Sequence, residues 1–231
     1  MGVLADRLEA VSSRLIRGDS RKKTRLHDFA GNLVPPAAFA SLPRCVLSTL
    51  LLKTLGVQSR QPWISYRAIR RLGRLVRPSW RVLEFGSGAS SRWFASRCSF
   101  LVTLESDPEW FSVVTSTLAD FENVDLRFVA PPYAPALADL DPTFDFALVD
   151  GLARDKAMKV ALEKVKPGGY IYLDNADVQD AEHQAALGHL LAAADDRQPA
   201  ERFLDFAPCR ISVSQGVLAR IGTRPPPEGS P

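Results

Sequence analysis

Apolar runs that alternate with helical patterns constrain the fold more than any other feature of this sequence. The runs are RVLEFG (81–86), SFLVTLES (99–106), VDLRFVA (124–130), FDFALVDG (144–151) and GGYIYLDN (168–175). Helical patterns lie between these runs at 90–97, 108–121 and 154–165, and another follows the last run at 180–194. Because strands that alternate with helices pair in parallel through crossovers, the pattern predicts an α/β fold with a doubly wound sheet. ERFLDFAP (201–208) and SQGVLARIG (214–222) predict two closing strands, the last antiparallel, which makes a mostly parallel seven-stranded sheet.

Charge divides the chain near Trp80. Residues 1–81 hold 16 Lys/Arg and 4 Asp/Glu, a net +12, whereas the remainder holds 13 and 22, a net −9. We therefore predict a basic helical N-terminal extension or lid over 1–79, a ligand-binding domain over 80–223 and a disordered Pro-rich tail over 224–231. Within the extension we expect a helical arm over 1–30 and a second helix over 64–76.

The second helix of the extension carries a basic face made of Arg67, Arg70, Arg71 and Arg74. Such a face either is solvated and balances the acidic half of the chain, or binds a partner. The possible partners are a second copy in a homodimer, an anionic membrane surface, RNA, or an acidic substrate. The sequence does not decide among them.

Cysteine usage and the apolar runs bear on the compartment. Cys45, Cys98 and Cys209 are odd in number and scattered, which favours a reduced, cytoplasmic setting, and no secretory h-region is evident. The run CVLSTLLLKTLG (45–56) contains Lys53 and falls short of the roughly 20 residues that span a bilayer. It predicts a buried or interfacial helix.

The segment VLEFGSGASSRWFA (82–95) is typical of a strand, a glycine loop and a helix that together bind a nucleotide-like ligand. Ser91 stands where a dinucleotide fingerprint needs its last glycine, and the Lys of a triphosphate-binding loop is absent. Glu84 at the end of the strand suits a ligand with an ammonium or sulfonium group. Glu105 ends the next strand, 19 residues after Gly86, where an acid can accept hydrogen bonds from ribose hydroxyls.

Four segments in this order resemble the successive motifs of class I S-adenosylmethionine-dependent methyltransferases, over about residues 80–221: VLEFGSGASSRWFA, LVTLESDPEWF, FDFALVDG and ALEKVKPGGYIYLDN. Ser90 departs from the third glycine of the usual motif. The resemblance implies a Rossmann-like methyltransferase fold with S-adenosylmethionine as cofactor. It also implies cofactor-binding residues: Glu84, Gly86, Ser87 and Gly88 at the methionine end, Glu105 at the ribose, Ser106 beside the adenine, and Asp150 near the methyl group.

Three oxygen-bearing side chains end neighbouring strands: Asp150, Asp174 and Asn175. This hard-ligand set suits Mg²⁺, which would lower the pKa of an acceptor hydroxyl. The arrangement is similar to the metal triad of catechol and caffeoyl-coenzyme A O-methyltransferases, but Ala153 stands where those enzymes have a lysine base, followed by Arg154 and Lys156. Without a metal, Asp150 is the candidate catalytic base or orienting group, and the Asp-Asn pair caps the following helix.

The sequence thus predicts an enzyme that transfers a methyl group from S-adenosylmethionine to a small-molecule acceptor, at a hydroxyl oxygen. The alternatives are an RNA or protein methyltransferase that uses the basic extension, and a non-catalytic cofactor-binding module. The segment APPYAP (130–135) resembles a motif of amino-group methyltransferases, but Ala130 cannot accept a hydrogen bond, which leaves Tyr133 as a pocket wall. His183 and His189 do not share a helix face, and each is expected to be a surface histidine or one with its hydrogen bonds satisfied, rather than a catalyst.

Overall fold

The architecture was obtained as a computed structural model that describes residues 21–141 and 143–222. Its centre is a seven-stranded sheet of order β3-β2-β1-β4-β5-β7-β6, in which β1 to β5 run parallel and β7 runs antiparallel to both β5 and β6. The predicted fold class, including the antiparallel last strand, is confirmed. The strands are β1 Arg81–Phe85, β2 Phe100–Glu105, β3 Val124–Phe128, β4 Phe144–Val149, β5 Val165–Asp174, β6 Glu201–Ala207 and β7 Arg210–Arg220.

Six α-helices and two 3₁₀ turns surround the sheet in the described part of the chain. The 3₁₀ turns are Pro36–Ser41 and Ala134–Leu137; the helices are α1 Leu42–Leu55, α2 Tyr66–Leu75, α3 Ala89–Ala95, α4 Pro108–Leu118, α5 Arg154–Lys164 and α6 Ala181–Ala192. Their ends follow local chemistry. The Ser65 side chain accepts a hydrogen bond from the backbone of Ala68 at the start of α2, and Gly56 ends α1 in the left-handed region.

Parallel register brings the ends of three strands to one edge of the sheet. Phe85 of β1 lies opposite Leu104 of β2 and Val149 of β4, so the residues that follow these positions meet. The chain order along the sheet reverses between β1 and β4, which is the switch point where open α/β sheets bind ligands. The fold therefore places Gly86, Glu105 and Asp150 around one crevice.

The N-terminal region packs on one face of the sheet. Ile69 and Leu72 of α2 and Cys45 of α1 belong to the same buried cluster as Val82 and Phe146 of the sheet. Alternate strand positions such as Leu83 and Phe85 form the core under α5 and α6 on the other face. The described residues before β1 thus help to cover the sheet, and their assignment to a separate extension stays a prediction.

The helical arm expected over 1–30 is wrong for residues 21–30, while residues 1–20 lie outside the described residues. This stretch forms turns and one short bridge between His27 and Leu33. Its basic side chains are donors to the sheet: Lys22 bonds the carbonyl of Val213 at 2.7 Å and Arg25 that of Ile211 at 2.8 Å. The buried contact of the Lys22 ammonium with β7 holds this stretch in an irregular conformation, which the helical periodicity of the sequence did not predict.

Two arginines of the basic α2 face meet the acidic half of the chain. Arg71 pairs with Glu201 at 2.9 Å, and Arg70 lies 3.9 Å from the buried Asp205 carboxylate. The backbone of Arg67 also donates to Asp205 at 3.1 Å. Opposite charges in the two halves of the sequence thus meet where α2 packs on β6.

One stretch of the described chain, Pro36–Leu55, has the length and apolar composition of a helix that crosses a membrane. It consists of a 3₁₀ turn followed by α1. The inner side of α1 packs on β7 and β6.

Candidate functional site

The glycine loop after β1 is packed tightly against the loop after β4. Gly86 has φ of +93°, and a Cβ built on it would lie 2.8 Å from the backbone of Gly151. Gly88, two residues on, has open space where a side chain would project. Gly86 is therefore needed for the fold of the two loops, whereas Gly88 leaves room for a ligand.

Glu84 lies beneath the glycine loop and is fully buried. Its Oε2 accepts hydrogen bonds from Ser91 Oγ at 2.5 Å and Thr103 Oγ1 at 2.6 Å, while its Oε1 is buried without a partner in the described structure. Burial raises the pKa of Glu84 to about 7. A buried carboxylate with one unpartnered oxygen suits a nearby cationic group. The contact of Glu84 with the methionine end of the cofactor stays a prediction, and this geometry is compatible with it.

Glu105 organises the crevice through the backbone. Its Oε1 accepts hydrogen bonds from the N–H groups of Ser106 and Asp107 at 2.7 and 2.8 Å, and its Oε2 accepts one from Ser87 at 3.2 Å. The carboxylate is nearly buried and its position is fixed by three donors. Carboxylate oxygens accept more than one hydrogen bond, so hydroxyl groups of a ligand can still bind there.

Two adjoining cavities open at this edge and share Gly86, Ser87 and Asp150 in their walls. The larger, about 390 Å³, is also lined by Glu105, Ser106 and Tyr133. The smaller, about 230 Å³, is bordered by residues of the glycine loop, α4 and the segment before α2: Gln58, Trp63, Gly88, Ala89, Ser90 and Trp110. Every predicted cofactor residue except Glu84 lines one of these cavities, and Tyr133 is a wall of the larger one.

Asp150 is held by Arg154, the first residue of α5, across a short loop. Arg154 Nη2 donates to Asp150 Oδ1 at 2.9 Å and to Asn175 Oδ1 at 3.2 Å, and Nη1 lies 3.0 Å from His183 Nε2. Burial raises the pKa of Asp150, and the positive charge of Arg154 opposes that rise. The second carboxylate oxygen, Oδ2, receives no hydrogen bond from the described residues, so it is available to a ligand.

The predicted metal set does not fit a divalent ion in this arrangement. The Arg154 guanidinium already donates to two of the three expected ligands, Asp150 and Asn175, so Mg²⁺ would have to lie beside another cation. Asp174 is buried, and burial together with the charge of Asp150 raises its pKa well above the usual range. In the described part of the chain no three His, Cys, Asp or Glu side chains form a group that could hold a metal.

Sequence reasoning missed several residues of the site. Gln58 and Trp63 reach it from the segment between α1 and α2, and no local pattern marks them. His183 has a largely buried side chain whose Nδ1 lies 2.7 Å from Asp180 and whose Nε2 faces Arg154, in keeping with the expectation of a satisfied histidine. Arg154 was visible four positions after Asp150, but the intervening residues are not helical, so sequence spacing did not predict the contact.

Several methyltransferases are among the solved structures with a similar fold. A candidate O-methyltransferase from Klebsiella pneumoniae is 21% identical with a TM-score of 0.57, covering 80% of this chain and all of that one. Cofactor-bound Rv0187 from MTB is 20% identical with a TM-score of 0.53, over 93% of this chain and 95% of its own. An rRNA methylase from Streptococcus thermophilus is 14% identical with a TM-score of 0.53, over 68% and 96%.

No family model and no curated protein matches the sequence. The sheet order, the glycine loop at the switch point and the structural likenesses together define the class: the chain has the fold of class I S-adenosylmethionine-dependent methyltransferases. The resemblance predicted from the sequence motifs is thereby confirmed at the level of the fold.

Proposed function

We propose that this protein is an S-adenosylmethionine-dependent methyltransferase whose acceptor is a small molecule with a reactive hydroxyl oxygen. The observation that carries the proposal is the position of Asp150 in the wall shared by the two cavities. The larger cavity borders the residues expected at the ribose and adenine. The smaller borders the glycine loop, which is expected at the methionine end of the cofactor, so a methyl group held there would lie near Asp150.

The cofactor, when bound, supplies an electrophilic methyl group on a sulfonium. The residues present suit it: Glu84 offers negative charge beneath the loop, Gly88 leaves open space, and Glu105 faces the larger cavity. Among these, the unpartnered Oε1 of Glu84 is the feature that a purely structural role explains least, because a buried carboxylate oxygen without a partner costs about 1–3 kcal/mol.

Asp150 would act on the acceptor. Its Oδ2 would accept the hydrogen bond of an acceptor hydroxyl and take the proton as that oxygen bonds to the methyl carbon and the sulfur–methyl bond breaks, with S-adenosylhomocysteine as the leaving thioether. Arg154 fixes the carboxylate through Oδ1 and keeps a positive charge beside it, which holds down the pKa of Asp150 against the effect of burial. Holding the hydroxyl in line with the methyl group supplies the main rate effect, and proton transfer adds to it. No metal has a part in this proposal.

The first test is calorimetric titration with S-adenosylhomocysteine, with Mg²⁺ and again with a chelator, beside an NADH control. We expect binding at about micromolar Kd that the chelator leaves unchanged, and no heat from NADH. Methyl transfer from labelled cofactor to a panel of hydroxylated small molecules follows. The Asp150→Asn variant should bind the cofactor product normally and lose about 10²- to 10⁴-fold in kcat. Absence of binding, or turnover that requires Mg²⁺, would contradict the proposal.

An RNA methyltransferase is the second candidate, and one observation favours it. Residues 29–83 contain nine Lys/Arg and no Asp/Glu, and this segment contributes Gln58 and Trp63 to the smaller cavity. The rRNA methylase among the similar folds is in keeping with this candidate. This candidate would be favoured over the first if the protein bound RNA in a salt-sensitive way and transferred the labelled methyl group to RNA but to no member of the small-molecule panel.

A further inference from the structure

Helix α1 exposes three leucines to solvent on the side away from the sheet, while Leu42, Val46, Leu51 and Leu52 of the same helix are partly buried. Leu47, Leu50 and Leu55 are 59%, 51% and 69% exposed. At 3.6 residues per turn they lie on the side of the helix opposite the buried Cys45 and Thr49. We call these three leucines the leucine face. Globular proteins seldom leave several leucines of one helix this exposed, which makes the leucine face a candidate contact surface.

The inner side of α1 is attached by specific polar contacts. Cys45 Sγ donates to the carbonyl of Arg210 at 3.1 Å, and Ser48 Oγ accepts from the backbone N–H of Cys209 at 2.9 Å. Thr49 is buried, and its Oγ1 donates to the carbonyl of Cys45 within the same helix at 2.7 Å. The helix is thereby oriented by the β6–β7 hairpin, and rotation that would bury the leucine face would break these bonds.

The charge around the leucine face is of one sign. Residues 29–83 carry no carboxylate side chain, and Arg44 and Lys53 lie on α1 itself, with Arg60 just beyond it. None of these three residues forms an ion pair with another part of the described chain, whereas Arg70 and Arg71 of α2 do. Exposed leucines and unpaired cations on one segment suit contact with an anionic bilayer, whose surface attracts Lys and Arg side chains.

We propose that the leucine face docks on an anionic membrane surface, with α1 lying in the interfacial plane and Arg44, Lys53 and Arg60 near the lipid phosphates. A second copy of this chain is a poorer occupant, because a symmetric contact would bring like charges together. RNA would engage the cations but leave the leucines in water. The proposal concerns a surface outside the two cavities and does not depend on the identity of the methyl acceptor.

The surface ends close to the smaller cavity. Val57 is exposed directly after α1, and the next residue, Gln58, lines the cavity together with Trp63, which is also half exposed. A bilayer that covers the leucine face would thus lie beside the segment that borders the site.

The test is sedimentation of the full chain with vesicles of phosphatidylcholine alone and of phosphatidylcholine mixed with phosphatidylglycerol. We expect binding to the anionic vesicles only, weakened by salt. The double variant Leu47→Ser/Leu50→Ser should lower the partition coefficient by about tenfold or more, through lost apolar contact. Arg44→Gln/Lys53→Gln should lower it by about tenfold on anionic vesicles. Leu191→Ser, which changes an exposed leucine on α6 at the other face of the sheet, is the matched control and should bind like the wild type.

Three outcomes would overturn the proposal. One is absence of binding to anionic vesicles by a protein whose thermal unfolding is normal. Another is a dimer, seen by sedimentation equilibrium without lipid, that the leucine variant dissociates. The third is vesicle binding that the leucine variant leaves unchanged while single-stranded RNA competes for it, since cations alone would then carry the interaction.

Discussion

Arg154 joins the ends of β4, β5 and α6 through one guanidinium group. It donates to Asp150 and Asn175 and contacts His183, while its own backbone N–H donates to Glu182 at 2.7 Å. A planar cation with five donors can make these contacts at once, and a lysine ammonium cannot copy the geometry. At the residue scale, Arg154 therefore binds two of the three side chains that the sequence assigned to a metal ion.

Removal of Arg154 should shift the pH dependence of catalysis. The cation opposes the rise that burial causes in the pKa of Asp150, so Arg154→Ala should raise that pKa further and move the acidic limb of kcat/KM to higher pH. Arg154→Lys should restore the limb in part, because the charge returns without the bridging geometry. Lys156→Ala, an exposed lysine on the same helix, should leave the profile unchanged. An unshifted profile in Arg154→Ala would show that Asp150 is not the titrating base.

Glu84 should make the protein less stable as the pH rises. Its pKa is raised from 4.5 to about 7 in the folded state, so its contribution is fully present below pH 4.5 and is lost as pH rises through 7. Glu84→Gln keeps an acceptor for Ser91 and Thr103 but cannot ionise. Its free energy of unfolding, relative to the wild type, should increase by about 2–3 kcal/mol between pH 5 and 8. Urea denaturation at several pH values measures this difference, and Glu122→Gln, at an exposed position, is the control. If the free energies of unfolding of Glu84→Gln and the wild type changed with pH in the same way, the prediction would be refuted.

At the element scale, the loops after β1 and β4 decide the shape of the site. The backbone of Asp150 donates to the carbonyl of Phe85 at 2.9 Å, and Trp110 of α4 donates through Nε1 to the carbonyl of Ser87 at 2.8 Å. These bonds fix the position of the glycine loop. Within it, Gly86 allows the two loops to pack together, whereas Gly88 leaves space for a ligand.

Alanine at the two loop glycines should separate stability from binding. Gly86→Ala places a Cβ against the backbone of Gly151 and forces alanine into the left-handed region, so it should lower the free energy of unfolding by roughly 2–4 kcal/mol. Gly88→Ala meets no atom within 4 Å, so its stability should stay within about 0.5 kcal/mol of the wild type. Its affinity for S-adenosylhomocysteine should nevertheless fall. Chemical denaturation and calorimetry distinguish the two; equal destabilisation would contradict this assignment.

At the scale of the whole molecule, the described residues before β1 belong to the core of the sheet. Leu72 of α2 is fully buried in a cluster with Val82 and Phe146, and the ion pair of Arg71 with Glu201 joins α2 to the edge strand β6. The opposite net charges of the two halves thus meet within one molecule. This arrangement explains why so basic a segment can pack on the rest of the chain.

Leu72→Ala should destabilise the molecule as one unit. Deleting a buried leucine side chain costs about 2–5 kcal/mol, and because α2 shares its core with the sheet, unfolding should remain a single transition at a lower midpoint. Far-ultraviolet circular dichroism and tryptophan fluorescence should report the same midpoint. Arg74→Ala, at an exposed position of the same helix, should change stability little. Two separated transitions would instead show that the region before β1 folds independently.

The sequence by itself determined the sheet, the alternation of helices and strands, and the order of the motifs around the switch point. These follow from local periodicity and from register, since parallel strands of known order must bring Gly86, Glu105 and Asp150 to one edge. Only the tertiary structure decided the position of Arg154 between Asp150 and Asn175, the arrival of Gln58 and Trp63 at the cavity, and the outward direction of the leucine face. These three features depend on which distant segments of the chain pack together, and local periodicity does not predict such contacts.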